Sequence, residues 1–143
     1  MKILAIDYGL SKIGLAVSDT TRTVASPLGY IVNRGDKKNI AALAEKIKAN
    51  SIAKVLVGVA LHCDGKESKM SAEARRFGDL LGNESGVGVV YHNEYLTTRD
   101  AEQYLREVKC VKCPRKIAEM VDTLAACMLL QDYLETIKHN RFG

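Results

Sequence analysis

Lys2-Ile3-Leu4-Ala5-Ile6-Asp7-Tyr8-Gly9-Leu10-Ser11-Lys12-Ile13-Gly14-Leu15-Ala16-Val17 decides the fold. An apolar run over residues 2–7 ends on a carboxylate. A glycine-containing turn follows, and a second run over 13–19 returns beside the first. Two readings of Asp7 fit this stretch. A carboxylate fixed at the tip of a buried strand, next to glycine-shaped backbone, suits a divalent metal or a phosphate group. The plainer reading is an Asp that stabilises the hairpin turn.

Working outward, residues 23–33 predict a third antiparallel strand, with Pro27 marking a bend or bulge. Asp36 is placed as the N-cap of a helix carrying Ile40, Leu43, Ala44 and Ile47. Ala53-Lys-Val-Leu-Val-Gly58 then reads as a buried strand parallel to the first. A helix is expected from about Ser71 to Leu81, ended by Gly82 and Gly86. Val87-Gly-Val-Val-Tyr91 is the next buried strand, followed by Glu94. Thr97-Thr98-Arg99-Asp100 suits the start of a helix to about Val108. Pro114 suits the first turn of a last, long helix. The order predicts an α/β fold with a mixed five-stranded sheet, three antiparallel strands and then two parallel ones, flanked by helices.

The chain has 143 residues and reads as one domain over 1–143. There is no apolar run of membrane-spanning length and no signal-peptide pattern, so a cytoplasmic protein is expected. Its cysteines, Cys63, Cys110, Cys113 and Cys127, are then reduced. Cys110-Val-Lys-Cys113 lacks the second pair that a structural zinc site needs. With 21 basic and 17 acidic residues, the net charge of +4 is compatible with an anionic partner without requiring one. Lys109, Lys112, Arg115 and Lys116 cluster, as do Lys66, Lys69, Arg75 and Arg76.

Three carboxylates are candidates for one site. Asp7 and Glu94 both follow strands expected to be parallel, and the carboxyl edge of such a sheet is where open α/β folds build their sites. Asp122 stands mid-helix on a face with Ala125, Ala126, Leu129, Leu130 and Tyr133. An ionised Asp on an apolar face is costly unless paired or metal-bound. The alternative is a rim position paired with Arg115 or Lys116. Hard oxygen ligands from several elements suit Mg²⁺ or Mn²⁺, and a pair of such ions cuts phosphodiesters. Glu119 is expected to be surface charge.

The chain resembles the YqgF/RuvX family of Holliday-junction-resolvase-like proteins and pre-16S rRNA nucleases. The motifs are Asp7-Tyr-Gly with Ile13-Gly-Leu-Ala-Val-Ser-Asp19, Val57-Gly58 with Asp64-Gly65, Glu94-Tyr-Leu-Thr-Thr98, and Val121-Asp-Thr-Leu-Ala-Ala126 with Leu130-Gln-Asp-Tyr-Leu134. The resemblance implies an RNase H-like fold and a metal-dependent nuclease, a hydrolase of phosphodiester bonds, with Asp7, Glu94 and Asp122 as catalytic metal ligands. It implies processing of the 5′ end of pre-16S rRNA in ribosome biogenesis. The alternatives are a Holliday junction resolvase and a non-catalytic RNA-binding assembly factor. Two departures stand out: Gly58-Val-Ala-Leu61 where the family has Gly-Leu-Pro-Leu, and Asn93-Glu94-Tyr95 where it has Asp-Glu-Arg.

Lys12, Arg99, Lys112, Arg115 and Lys116 are candidate nucleic-acid contacts, which position a backbone without reading sequence. With no Trp and 6% aromatic residues, stacking on single strands has little support. Tyr8 and Tyr95 flank two proposed ligands, and packing is the expected use of at least one. An actin-like ATPase or sugar kinase would need a second such domain. Either a monomer or a homodimer is compatible.

Overall fold

The computed structural model describes residues 2–59, 69–93 and 114–142, including side chains except at 93, 114–122 and 139–142. The elements are β1 (Lys2–Tyr8), β2 (Lys12–Ser18), β3 (Ala25–Val32), α1 (Asp36–Ala49), β4 (Ile52–Val59), α2 (Lys69–Ser85), β5 (Gly88–Asn93) and α3 (Pro114–Phe142). The strands form one sheet in the order β3-β2-β1-β4-β5. β1–β2 and β2–β3 are antiparallel, whereas β1–β4 and β4–β5 are parallel. The expected five-stranded mixed sheet is therefore present. β1 lies at its centre, which is why Leu4, Ala5 and Ile6 are fully buried and read as a continuous apolar run.

Alternation along the strands supplies two cores. Leu4, Ile6, Ile13, Leu15, Val55 and Val57 pack with Leu43 of α1 and with Ala74, Phe77 and Leu81 of α2. Ile3, Ala5, Ala16 and Leu56 pack with Ala126, Leu129, Leu130 and Leu134 of α3. Pro27 sits at the expected bulge. Leu15 pairs with Gly29 but Ala16 pairs with Pro27, so Leu28 is the extra residue. β3 is an edge strand, where a missing N–H is tolerated.

Two helix boundaries differ from expectation. Asp36 is not the N-cap but the first helical residue of α1. Gly35 occupies the cap, with no side-chain cap bond. The Asp36 carboxylate instead accepts two hydrogen bonds from Arg76 of α2, at 2.8 and 3.2 Å. α2 runs to Ser85 and passes through Gly82. The role of Gly82 is close approach, because a Cβ there would lie 3.0 Å from Val89 Cγ2 of β5. Gly86 ends the helix at φ 74°, its N–H bonded to the Gly82 carbonyl at 2.9 Å. The helix expected over 97–108 lies outside the described residues.

Candidate active site at the carboxyl edge of the sheet

Ile3 and Ala5 face α3 while Leu4 and Ile6 face α1 and α2. The period of two therefore places Asp7 on the α3 face, at the carboxyl end of β1. Asp7 pairs with Gly14 of β2, and Gly14 pairs with Tyr30 of β3. On the other side the β1–β4 register runs to Ile6–Val57, and one step further sets Asp7 beside Gly58, which pairs with His92 of β5. One row on one face thus reads Tyr30, Gly14, Asp7, Gly58, His92. With glycine on both sides, the half-buried Asp7 carboxylate stands on a floor bare of side chains for about one strand spacing, ~4.8 Å, in each direction. Neither glycine's place in this row was read from sequence, because it depends on strand register.

The last helix is fastened over this floor by polar clips. Thr123 Oγ1 donates to the Leu15 carbonyl at 2.9 Å and accepts the Gly29 N–H at 3.2 Å. Leu15 and Gly29 are paired with each other, in the row adjoining Asp7. The turn of α3 that carries position 122 is therefore held beside the Asp7 row. One turn later Ala126 is fully buried, and Ala125 is 3% exposed. These are the small residues that permit close approach. Further along, Gln131 accepts the Ala25 N–H at 3.0 Å and donates to the Thr23 carbonyl at 3.2 Å. Cys127 is a free, half-buried thiol that donates to the Ala25 carbonyl at 3.5 Å. Burial pushes its pKa up.

β5 ends at Asn93, at the same carboxyl edge. Glu94 itself, Tyr95, Arg99 and Lys112 lie outside the described residues. Asp122, Glu119, Arg115 and Lys116 lie within α3, but their side chains are outside the description. Of the three carboxylates, then, the structure brings together Asp7 and the backbone at 122. The Asp7 carboxylate is a hard oxygen donor, a type that fits Mg²⁺ or Mn²⁺ chemically.

The turn after Asp7 is shaped by Gly9, as the sequence predicts, and is braced by Asn33 and Asn39, which the sequence does not single out. A Cβ on Gly9 would lie 2.5 Å from the Lys12 carbonyl oxygen, so the turn as built has no room for a side chain at this position. Asn33 Nδ2 donates to the Gly9 carbonyl at 2.9 Å, and the Asn33 N–H bonds to the Ser11 carbonyl at 2.8 Å. The buried Asn39 of α1 donates from Nδ2 to Asn33 Oδ1 at 2.9 Å and accepts the Arg34 N–H at 3.0 Å. A chain of amides thus couples the turn to the start of α1. Asn at a helix start is a recognisable signal, but its partners are not.

His92 was likewise missed. Its Nε2 lies 2.7 Å from Asp132 Oδ2, and its ring meets Tyr133 edge-on at 5.5 Å. These contacts tie the end of β5 to α3. Lys12 places its ammonium 4.7 Å from the centre of the Tyr30 ring. Tyr8 packs against Phe77, with ring centres 5.1 Å apart, on the opposite face from Asp7. It serves the core, as expected of at least one of the two tyrosines.

Comparison with known proteins agrees with this architecture. The family model RuvX, described as Holliday junction resolvase, matches residues 1–136. A protein of Syntrophus aciditrophicus named "Putative pre-16S rRNA nuclease" is 31% identical over 99% of this chain and 93% of its own length. One of Chloroflexus aggregans with the same name is 37% identical over 93% of this chain and 92% of its own. Among solved structures, Thermus thermophilus RuvC bound to a Holliday junction superposes with a TM-score of 0.59 at 17% identity, covering 97% of this chain and 96% of that one. The fowlpox virus resolvase with its junction DNA gives 0.60 at 14% identity, covering 96% and 99%. These two likenesses show a shared RNase H-like fold. By its family model and its near-full-length relatives, the chain belongs to the RuvX family.

Proposed function

We propose that this protein is a divalent-metal-dependent nuclease that hydrolyses phosphodiester bonds at the 5′ end of the 16S rRNA precursor. The observation that carries the reading is the Asp7 row: a carboxylate on a glycine floor at the carboxyl edge, with the 122–123 turn of α3 clipped beside it. The names of the relatives supply the substrate class. The reading treats residues 1–143 as one nuclease domain.

In this reading Asp7, Glu94 and Asp122 hold Mg²⁺ or Mn²⁺. A bound cation supplies a polarised water and offsets charge on the phosphate. The chain's own part is orientation. β1 fixes Asp7, the Thr123 clip fixes the turn bearing Asp122, and the His92–Asp132 contact fixes the end of β5 that leads to Glu94. Lys12 stands on the same face as Asp7 and supplies positive charge for the nucleic-acid backbone. Arg99, Lys112, Arg115 and Lys116 are proposed to extend that contact. Among the described residues no helix is long and apolar enough to cross a membrane. A cytoplasmic site of action is proposed with the rRNA substrate.

The fold of the two junction-bound resolvases favours a second reading, cleavage of branched DNA. That reaction requires two sites and hence a two-fold dimer. The test is cleavage of labelled substrates with Mn²⁺ by wild type and Asp7→Asn. The panel holds an RNA with the precursor 5′ leader and a four-way DNA junction. The expected result is RNA cleavage that disappears in the variant. Symmetric junction cutting would replace the rRNA reading with the resolvase. Binding of RNA without cleavage of either substrate would replace it with a non-catalytic assembly factor.

A further inference from the structure

The row that holds Asp7 continues across β2 to an edge that the proposed chemistry does not use. Gly14 separates Asp7 from Tyr30, so the two side chains share a face about two strand spacings, ~10 Å, apart. Tyr30 is 41% exposed although it is large and aromatic. Its neighbours are the Lys12 ammonium over its ring and Val32, paired with Lys12 and 49% exposed. β3 is the edge of the sheet, so no further strand among the described residues covers this group. An aromatic ring beside a lysine, with apolar surface around them, is what a nucleotide needs: a flat partner for base or sugar and a cation for phosphate. Gly14 itself contributes no side chain between Asp7 and that pair.

We propose that Tyr30 and Lys12 form the wall against which the single RNA strand leaving Asp7 is held, with the strand crossing at Gly14. Tyr30 packs on a nucleotide next to the cleaved phosphate, and Lys12 neutralises one phosphate of the same strand. This assigns to Tyr30 the stacking role for which composition alone gave little support. The inference rests on the nuclease reading and names how its substrate is held.

The test is binding of a fluorescein-labelled single-stranded RNA by anisotropy, without divalent metal, so that binding is separated from cleavage. Tyr30→Ala is expected to weaken binding about tenfold, and Tyr30→Phe to restore it to near wild type. Lys12→Ala is expected to lower the steepness of the log–log salt dependence by about 0.7, the amount for one phosphate contact on a single strand. Lys48→Ala, in the last turn of α1, should leave that slope unchanged. Thermal melts establish that each variant is folded. A folded Tyr30→Ala protein that binds as wild type overturns the wall and leaves the nuclease reading standing. Failure of wild type to bind any RNA overturns both. Tyr30→Phe binding as weakly as Tyr30→Ala would also overturn the ring's role, since only the hydroxyl differs.

Discussion

The two faces of the sheet are built from different materials. Toward α1 and α2, the central strands present Leu4, Ile6, Ile13, Leu15, Val55 and Val57, closed by Phe77 and Leu81. Toward α3 the corresponding positions shrink to Ala5 and Ala16, then to Gly14 and Gly58 beside Asp7. The first face gains stability from bulk, because burial scales with apolar area. The second gives up bulk toward the carboxyl edge and holds its helix with hydrogen bonds from Thr123 and Gln131. The contrast teaches where stability and chemistry are separable: the bulky face should respond to mutation in stability, the bare face in activity.

The largest effect should come from Phe77→Ala. This fully buried ring closes the first core, and its loss should cost about 3–5 kcal/mol in urea unfolding, with cleavage per folded molecule unchanged. A drop in specific activity would break the separation. Gly9→Ala comes next. Its Cβ collides with the Lys12 carbonyl, so the turn must shift, at about 1–3 kcal/mol, and cleavage should fall with it. Thr123→Val should cost about 1 kcal/mol in stability, yet reduce cleavage more than Phe77→Ala does, while Thr123→Ser restores both. Equal losses in the two assays would make the clip purely structural.

The smallest effect lies at the opposite edge. The Asp19 carboxyl is held down at about 2 from its usual 3.8, chiefly by the Thr21 hydroxyl and then by the Val24 and Thr23 N–H groups. A depressed carboxylate stabilises the fold above the unfolded value and loses that contribution as pH falls through the folded one. Between pH 4 and 2, Asp19→Asn should therefore show a slightly shallower loss of melting temperature than wild type. Parallel curves would contradict the assignment.

Much of this was legible because it is local. Asp7 stands out because strand, carboxylate and glycine turn are contiguous, and Pro27 marked its bulge because proline lacks an N–H. The shared helical face of Ala125, Ala126, Leu129 and Leu130 is likewise local, and all four are buried. The rest depends on partners far apart in sequence. Thr123 lies 108 residues from Leu15, and Gln131 lies 106 from Ala25. A lone mid-helix Thr or Gln looks like surface until the sheet is in place. Asp36 shows the converse. Its sequence position suits a cap, but the guanidinium of Arg76, 40 residues on, claims the carboxylate. That pairing also pulls the Asp36 pKa below its usual value.

The central claim is that the bare row around Asp7 is a metal site. Calorimetric titration of Mn²⁺ into wild type and Asp7→Asn tests it without relying on turnover. The account predicts saturable binding to wild type, weakened at least about tenfold in Asp7→Asn, with metal-free melting temperatures alike. Equal Mn²⁺ affinity in the two folded proteins would contradict it.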